Sequence, residues 1–144
     1  MLVAHGTNIM VIDGANKVLF RNRGNEFEPD LERIDRRQRQ TGRTSDMGSD
    51  NPGRSFQSSG NGRSAHESSD FHQQEEDRFA NEAAVQLNML LVDGASAILI
   101  ATPHVLGVMR KCLVPEARSR ITAEIDRDYA KRSVEDITAL LVSL

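Results

Sequence analysis

Cysteine is almost missing from this 144-residue chain, with Cys112 the only one. A single thiol excludes an intramolecular disulfide framework and fits a reducing compartment. Cys112 lies in an apolar helical pattern, where a free cysteine is expected to behave as a small buried hydrophobe. Long apolar runs are missing as well. None approaches the roughly 20 residues of a membrane span, so no membrane insertion is expected. The opening "MLVAHGTNIMVIDG" has no basic leader and sets His5, Gly6 and Asn8 where an export signal needs apolar residues. The expectation is a soluble cytoplasmic protein. Nor is there an excess of positive charge. The formal net charge is -3, so any contact with nucleic acid has to come from a local basic patch rather than a global field.

What is present has the size of one domain, 1–144, able to bury one core. "TNIMVIDG" is a short apolar run closed by Asp13-Gly14, a strand and a turn. "NKVLFRN" follows at hairpin distance. "LERIDRRQ" alternates Leu31, Arg33 and Asp35 against Glu32, Ile34 and Arg36, which predicts a polar-faced third strand in an antiparallel meander. From about 38 to 69 the chain is polar, and five of its ten glycines fall between Gly42 and Gly62. The reading there is a long flexible Gly/Ser/Arg loop, and loops of that length are functional or disordered.

A long amphipathic helix is predicted from Asp70, which with Gln73 resembles a capping box. Phe79, Ala83, Leu87 and Leu90 fall on its inner face, and Asp93-Gly94 marks its end. "SAILIA" reads as a strand buried on both faces. Thr102-Pro103 opens a second helix with Val105, Val108, Met109 and Cys112 inward, and Pro115 starts a short further turn. "RITAEIDRDY" fits either helix or strand, and the strand is favoured because Ser133 with Asp136 caps a separate last helix, "VEDITALLVSL". Three antiparallel strands followed by helix, strand, helix, strand, helix is the ribonuclease-H-like α/β plan. It is a mixed five-stranded sheet with helices on both faces.

That plan raises the question of a metal-dependent nuclease. Asp13 ends the first strand, and Glu75, Glu76 and Glu82 lie on the first helix, but "SAILIATP" supplies no carboxylate to complete a two-metal cage. Asp13 is read instead as a turn residue. His66, His72 and His104 have no ligand spacing, and Ser64, His66 and Asp70 have no triad geometry. No catalytic residue, metal or cofactor is expected. The loop is more suggestive: Arg43, Arg54 and Arg63 surround Phe56, and arginine beside glycine suits close phosphate contact.

At "NPGRSFQSSGNGRSAHESSDFHQQEEDRFANEAA" the pattern becomes specific. With "HGTNIMVIDGANKVLFRNRG" before it and "ATPHVLGVMRKCL" and "IDRDYAKRSVEDITALL" after it, the chain resembles the bacterial host-attachment protein family over nearly its whole length. That family is similar in turn to the central domain of archaeal and eukaryotic class 1 peptide-chain release factors. There, the loop before the long helix carries Gly-Gly-Gln followed by Ser-Ala and reaches the peptidyl-transferase centre. Aligning on Ser64-Ala65 sets Asn61, Gly62 and Arg63 against Gly-Gly-Gln. Arginine has no acceptor and cannot take over the glutamine's part, which argues against peptidyl-tRNA hydrolysis. The resemblance implies a non-enzymatic module that binds the ribosome, ribosomal RNA or tRNA. Arg54, Asn61, Gly62, Arg63, Ser64 and His66 are the candidate contacts. The family name implies the alternative, a protein required for attachment to host cells through surface or protein–protein interaction.

Overall fold

The computed structural model describes residues 1–40 and 57–144, with side chains from Asp70 onward in the second stretch. Its strands are β1 (Asn8–Ile12), β2 (Asn16–Asn22), β3 (Leu31–Gln38), β4 (Ala97–Ala101) and β5 (Ile121–Asp126). The helices among the described residues are α1 (Gln57–Leu90), α2 (Pro103–Cys112), α3 (Pro115–Arg120) and α4 (Val134–Ser143). The sheet runs β3-β2-β1-β4-β5. The β1/β2 and β2/β3 pairs are antiparallel, and β1/β4 and β4/β5 are parallel. This is the mixed five-stranded α/β layout that the order of sequence signals implies. The ambiguous "RITAEIDRDY" segment supplies β5.

The two central strands explain themselves. β1 and β4 are wholly buried, and their residues pair in register from Asn8↔Ala97 to Ile12↔Ala101. Period-2 geometry then divides the core. Met10, Ile12, Leu19, Leu99 and Ala101 point to one face, and Ile9, Val11, Val18, Phe20, Ile98 and Ile100 to the other. Each fully buried Leu or Ile stabilises by about 1.5–3 kcal/mol. The first face is covered by α1, α2 and α3. Phe79, Ala80, Ala83, Ala84 and Leu87 of α1 lie against it, and the three alanines let the helix approach the sheet closely. Among the described helices α4, through Ile137 and Leu141, packs on the second face, beside Val3 and Ala130.

α1 differs from the reading at its start. It begins at Gln57, so the predicted loop is helical from there on, and Asp70 lies within the helix rather than at an N-cap. The remainder of the predicted loop, 41–56, lies outside the described residues. Gly60 and Gly62 each cost a helix about 1 kcal/mol relative to alanine, and no local signal favours the extension. Propagating a helix is easier than nucleating one. The stretch packed on the sheet supplies a nucleus from which the helix can run back through poor helix formers. Gln73, read as the partner in a capping box, donates from Nε2 to Asp77 Oδ1 at 3.0 Å instead. At the other end Gly94 takes φ +98°, and the chain reverses there into β4.

Other termini follow their signals more closely. Ser133 caps α4, its Oγ accepting from Asp136 N at 3.1 Å. Thr102 holds the N-cap position of α2 with Pro103 behind it, though its side chain makes no capping hydrogen bond. In α2 the fully buried residues are Val105, Leu106 and Met109, whereas Val108 and Cys112 are half-buried. Cys112 is therefore not the enclosed thiol expected. Its Sγ reaches Asn81 Oδ1 at 2.7 Å. No helix among the described residues is long and apolar enough to cross a membrane.

Candidate functional site

The residues singled out for RNA contact occupy one segment. Arg54 lies outside the described residues, and Asn61, Gly62, Arg63, Ser64 and His66 fall in the first part of α1, their side chains likewise outside them. Among the described side chains of α1, Asp70 to Arg78 are exposed or half-buried, and Phe79 is the first that is buried. Gln57 precedes Phe79 by roughly 30 Å of helix axis at 1.5 Å per residue. Among the described side chains of α1, the core-packed ones lie from Phe79 onward.

Where α1 passes the sheet, carboxylates and cations neutralise one another. Asp13 Oδ1 accepts from Ala15 N at 2.8 Å and Asn16 N at 2.6 Å, so Asp13 is the turn residue it was read to be. Glu76 lies so close to the turn that a Cβ on Gly14 would stand 2.8 Å from its Cδ. Arg37 pairs with Glu82 at 2.7 Å and sits over the Phe79 ring, and Arg78 pairs with Glu75 at 2.9 Å. His104 Nε2 meets Asp77 Oδ1 at 2.7 Å. The hydrogen bond from His104, aided by one from Gln73, lowers the Asp77 carboxyl below its ordinary value. No group of three or more His, Cys, Asp or Glu side chains suited to a metal occurs among the described residues.

The opposite face of the sheet carries a different arrangement. β3 does not alternate as its sequence suggests. Leu19 pairs with Asp35 and Phe20 with Arg33, so Ile34 is the extra residue of a β-bulge. Beyond the bulge Arg36 pairs with Val18 and so joins Arg33 on the second face. Asp35 and Arg37 turn to the first face, toward Lys17 and Glu82 respectively.

Arg33 and Arg36 then form one wall of a cleft of about 520 Å³, whose floor is Val18, Phe20 and Leu31. Lys131, Arg132 and the start of α4 form the opposite wall. Arg132 is held 4.8 Å over the Tyr129 ring and lies 3.8 Å from Asp136. The sequence gives no sign of this cleft, because a bulge leaves no local mark and the walls are about a hundred residues apart. Alternating parity separates Arg33 from Arg36.

None of the curated proteins compared with the chain matches it. Residues 8–141 match the family model described as "Protein required for attachment to host cells", and on that match over most of its length the chain belongs to this family.

Proposed function

We propose that the chain is a non-enzymatic cytoplasmic module that binds ribosomal or other RNA through the stretch from Arg54 to Asp70. Attachment to host cells would then depend on it indirectly. One observation carries the reading: α1 starts at Gln57, well ahead of Phe79, the first buried residue among its described side chains. The segment that precedes Asp70 in the sequence holds arginine and glycine, Arg54 and Arg63 among them. The resemblance that the sequence suggests between this segment and the release-factor loop favours RNA as the partner. The absence of a glutamine where Gly-Gly-Gln would stand supports binding without hydrolysis. Guanidinium groups give charge-assisted, forked hydrogen bonds to phosphate oxygens.

Ribosome pelleting and filter binding test this with the wild type and an Arg54→Ala/Arg63→Ala variant. The wild type binds, the variant binds at least tenfold more weakly, and added salt weakens the wild type more steeply. Equal binding by both proteins, or by neither, overturns the proposal. The family description favours a second reading, direct action at the cell surface. Fractionation separates the two, since a protein recovered only from the cytosol is not itself the adhesin.

A further inference from the structure

We propose that the cleft between β2–β3 and the start of α4 is a binding site for a small organic phosphate with a flat apolar body, of the nucleoside monophosphate class. The inference does not rest on the Arg54–Asp70 reading. It uses other elements and the opposite face of the sheet.

The first ground is charge without compensation. Arg33, Arg36 and Lys131 make no ion pair among the described residues, although β3 also carries Glu32 and Asp35. Glu32 is 3.9 Å from Arg23, and Asp35 turns to Lys17 across the sheet. The nearest acids on α4 are Glu135 and Asp136 in its first turn. Asp136 is approached by Arg132, and Glu135 lines the neighbouring cavity beside Thr138 and Val142. A single carboxylate would satisfy one such cation, whereas a phosphate monoester carries a charge near -2 and three acceptor oxygens. The partial positive charge at the start of α4 has the same sign.

The second ground is the floor. Val18, Phe20 and Leu31 give the cleft an apolar base of aromatic and branched side chains. A volume of about 520 Å³ falls within the usual span of small-molecule sites, about 300–1,000 Å³. Val18, Phe20 and Leu31 are 5–9% exposed, so the apolar surface they offer is a narrow strip, which suits a flat body rather than a bulky one. Arginine also stacks on planar rings, so the same side chains serve both parts of such a ligand.

A simpler explanation covers only half of the observation. Cations on an edge strand discourage pairing with another chain, and β3 is an edge strand among the described residues. That accounts for Arg33 and Arg36, but Lys131 and Arg132 come from the loop before α4 and guard no edge.

The test is a nuclear magnetic resonance titration of the whole chain with AMP, GMP, CMP and UMP, and with adenosine and inorganic phosphate. At least one monophosphate is expected to shift the amides of Val18, Phe20, Leu31 and Lys131. Adenosine and inorganic phosphate bind at least tenfold more weakly. An Arg33→Ala/Arg36→Ala variant with unchanged thermal unfolding loses at least tenfold in affinity, and Arg54→Ala/Arg63→Ala loses none. Four silent monophosphates, inorganic phosphate binding as tightly as the best of them, or full affinity in the Arg33/Arg36 variant would each overturn the proposal. Should that variant prove unstable, Lys131→Ala, on a loop outside the sheet, gives the same reading.

Discussion

Arg33 and Arg36 share a face of β3 although three positions separate them, because Ile34 bulges out of the ladder between Leu19↔Asp35 and Phe20↔Arg33. Ile34 is 42% exposed and belongs to neither core cluster. Deleting it should regularise the strand while both arginines keep their partners. Cross-strand nuclear Overhauser contacts from Arg33 to Phe20 and from Arg36 to Val18 are expected to survive the deletion. Their loss, with Asp35 brought opposite Phe20, would contradict the bulge.

Asn22 is a buried polar side chain with each end satisfied. Its Nδ2 donates to Val3 O at 2.8 Å, and its Oδ1 accepts from Gly24 N at 2.8 Å and Asp30 N at 2.9 Å. One amide thus ties the N-terminal segment to both ends of the β2–β3 connection. Asn22→Leu keeps the volume but leaves two amides and a carbonyl unpaired, each costing about 1–3 kcal/mol when buried. Urea unfolding should show a loss of about 3 kcal/mol or more, against less than 0.5 kcal/mol, roughly, for a surface change such as Glu28→Gln.

Lys17 is buried on β2, 3.7 Å from Asp35 and hydrogen-bonded to Gln86. Burial lowers its pKa, and the charge of Asp35 only partly offsets this. The unfolded chain therefore holds that proton more tightly than the folded one. Stability should rise with pH between the lowered value and the unfolded value of about 10.4. Lys17→Met is expected to remove that rise and to leave stability at pH 7 unchanged or higher by up to about 1 kcal/mol. Asp35→Ala, which strands the buried ammonium, should cost about 1 kcal/mol, the modest figure reflecting a carboxylate that is 44% exposed.

Asp77 works in the other direction. Its hydrogen bond from His104 lowers the carboxyl pKa in the folded state. The stabilisation is present above the unfolded value of about 3.9 and disappears as pH falls through the lowered folded value. Both side chains are substantially exposed, so Asp77→Asn should cost less than about 1 kcal/mol at pH 7. The wild type and variant should converge in acid, and thermal unfolding between pH 7 and pH 2, roughly, reads this directly. A gap that persists unchanged to the lowest pH would show that the pair does not act through ionisation.

Much of the architecture was written in local patterns. "NIMVI" and "AILIA" are short apolar runs with no polar face, as central strands of a sheet covered on both sides must be. Asp13-Gly14, Pro103, Pro115 and Ser133 mark turns or helix starts by chemistry that acts within a few residues. The start of α1 was not legible. Serine, glycine and asparagine favour other conformations locally, so no residue there announces a helix. The bulge was not legible either, since "LERIDRRQ" carries no glycine or other local mark of one. That is why Arg33 and Arg36 looked like residues of opposite faces. The RNA-contact candidates around Arg63 follow from composition and resemblance, whereas the two walls of the cleft meet only in the tertiary structure.

The uneven cover of the sheet has a dynamic consequence. β4 lies under helices on one side and α4 on the other, while β3 has one neighbour strand among the described residues and a cleft beside it. Free energies of local opening track such differences in burial, so the amide protons of Leu31 to Gln38 should trade with solvent deuterium well before those of Ala97 to Ala101. A molecule seated against Val18 and Phe20 would slow that trade selectively in the outer hairpin. The edge of the sheet would then act as a built-in reporter of occupancy.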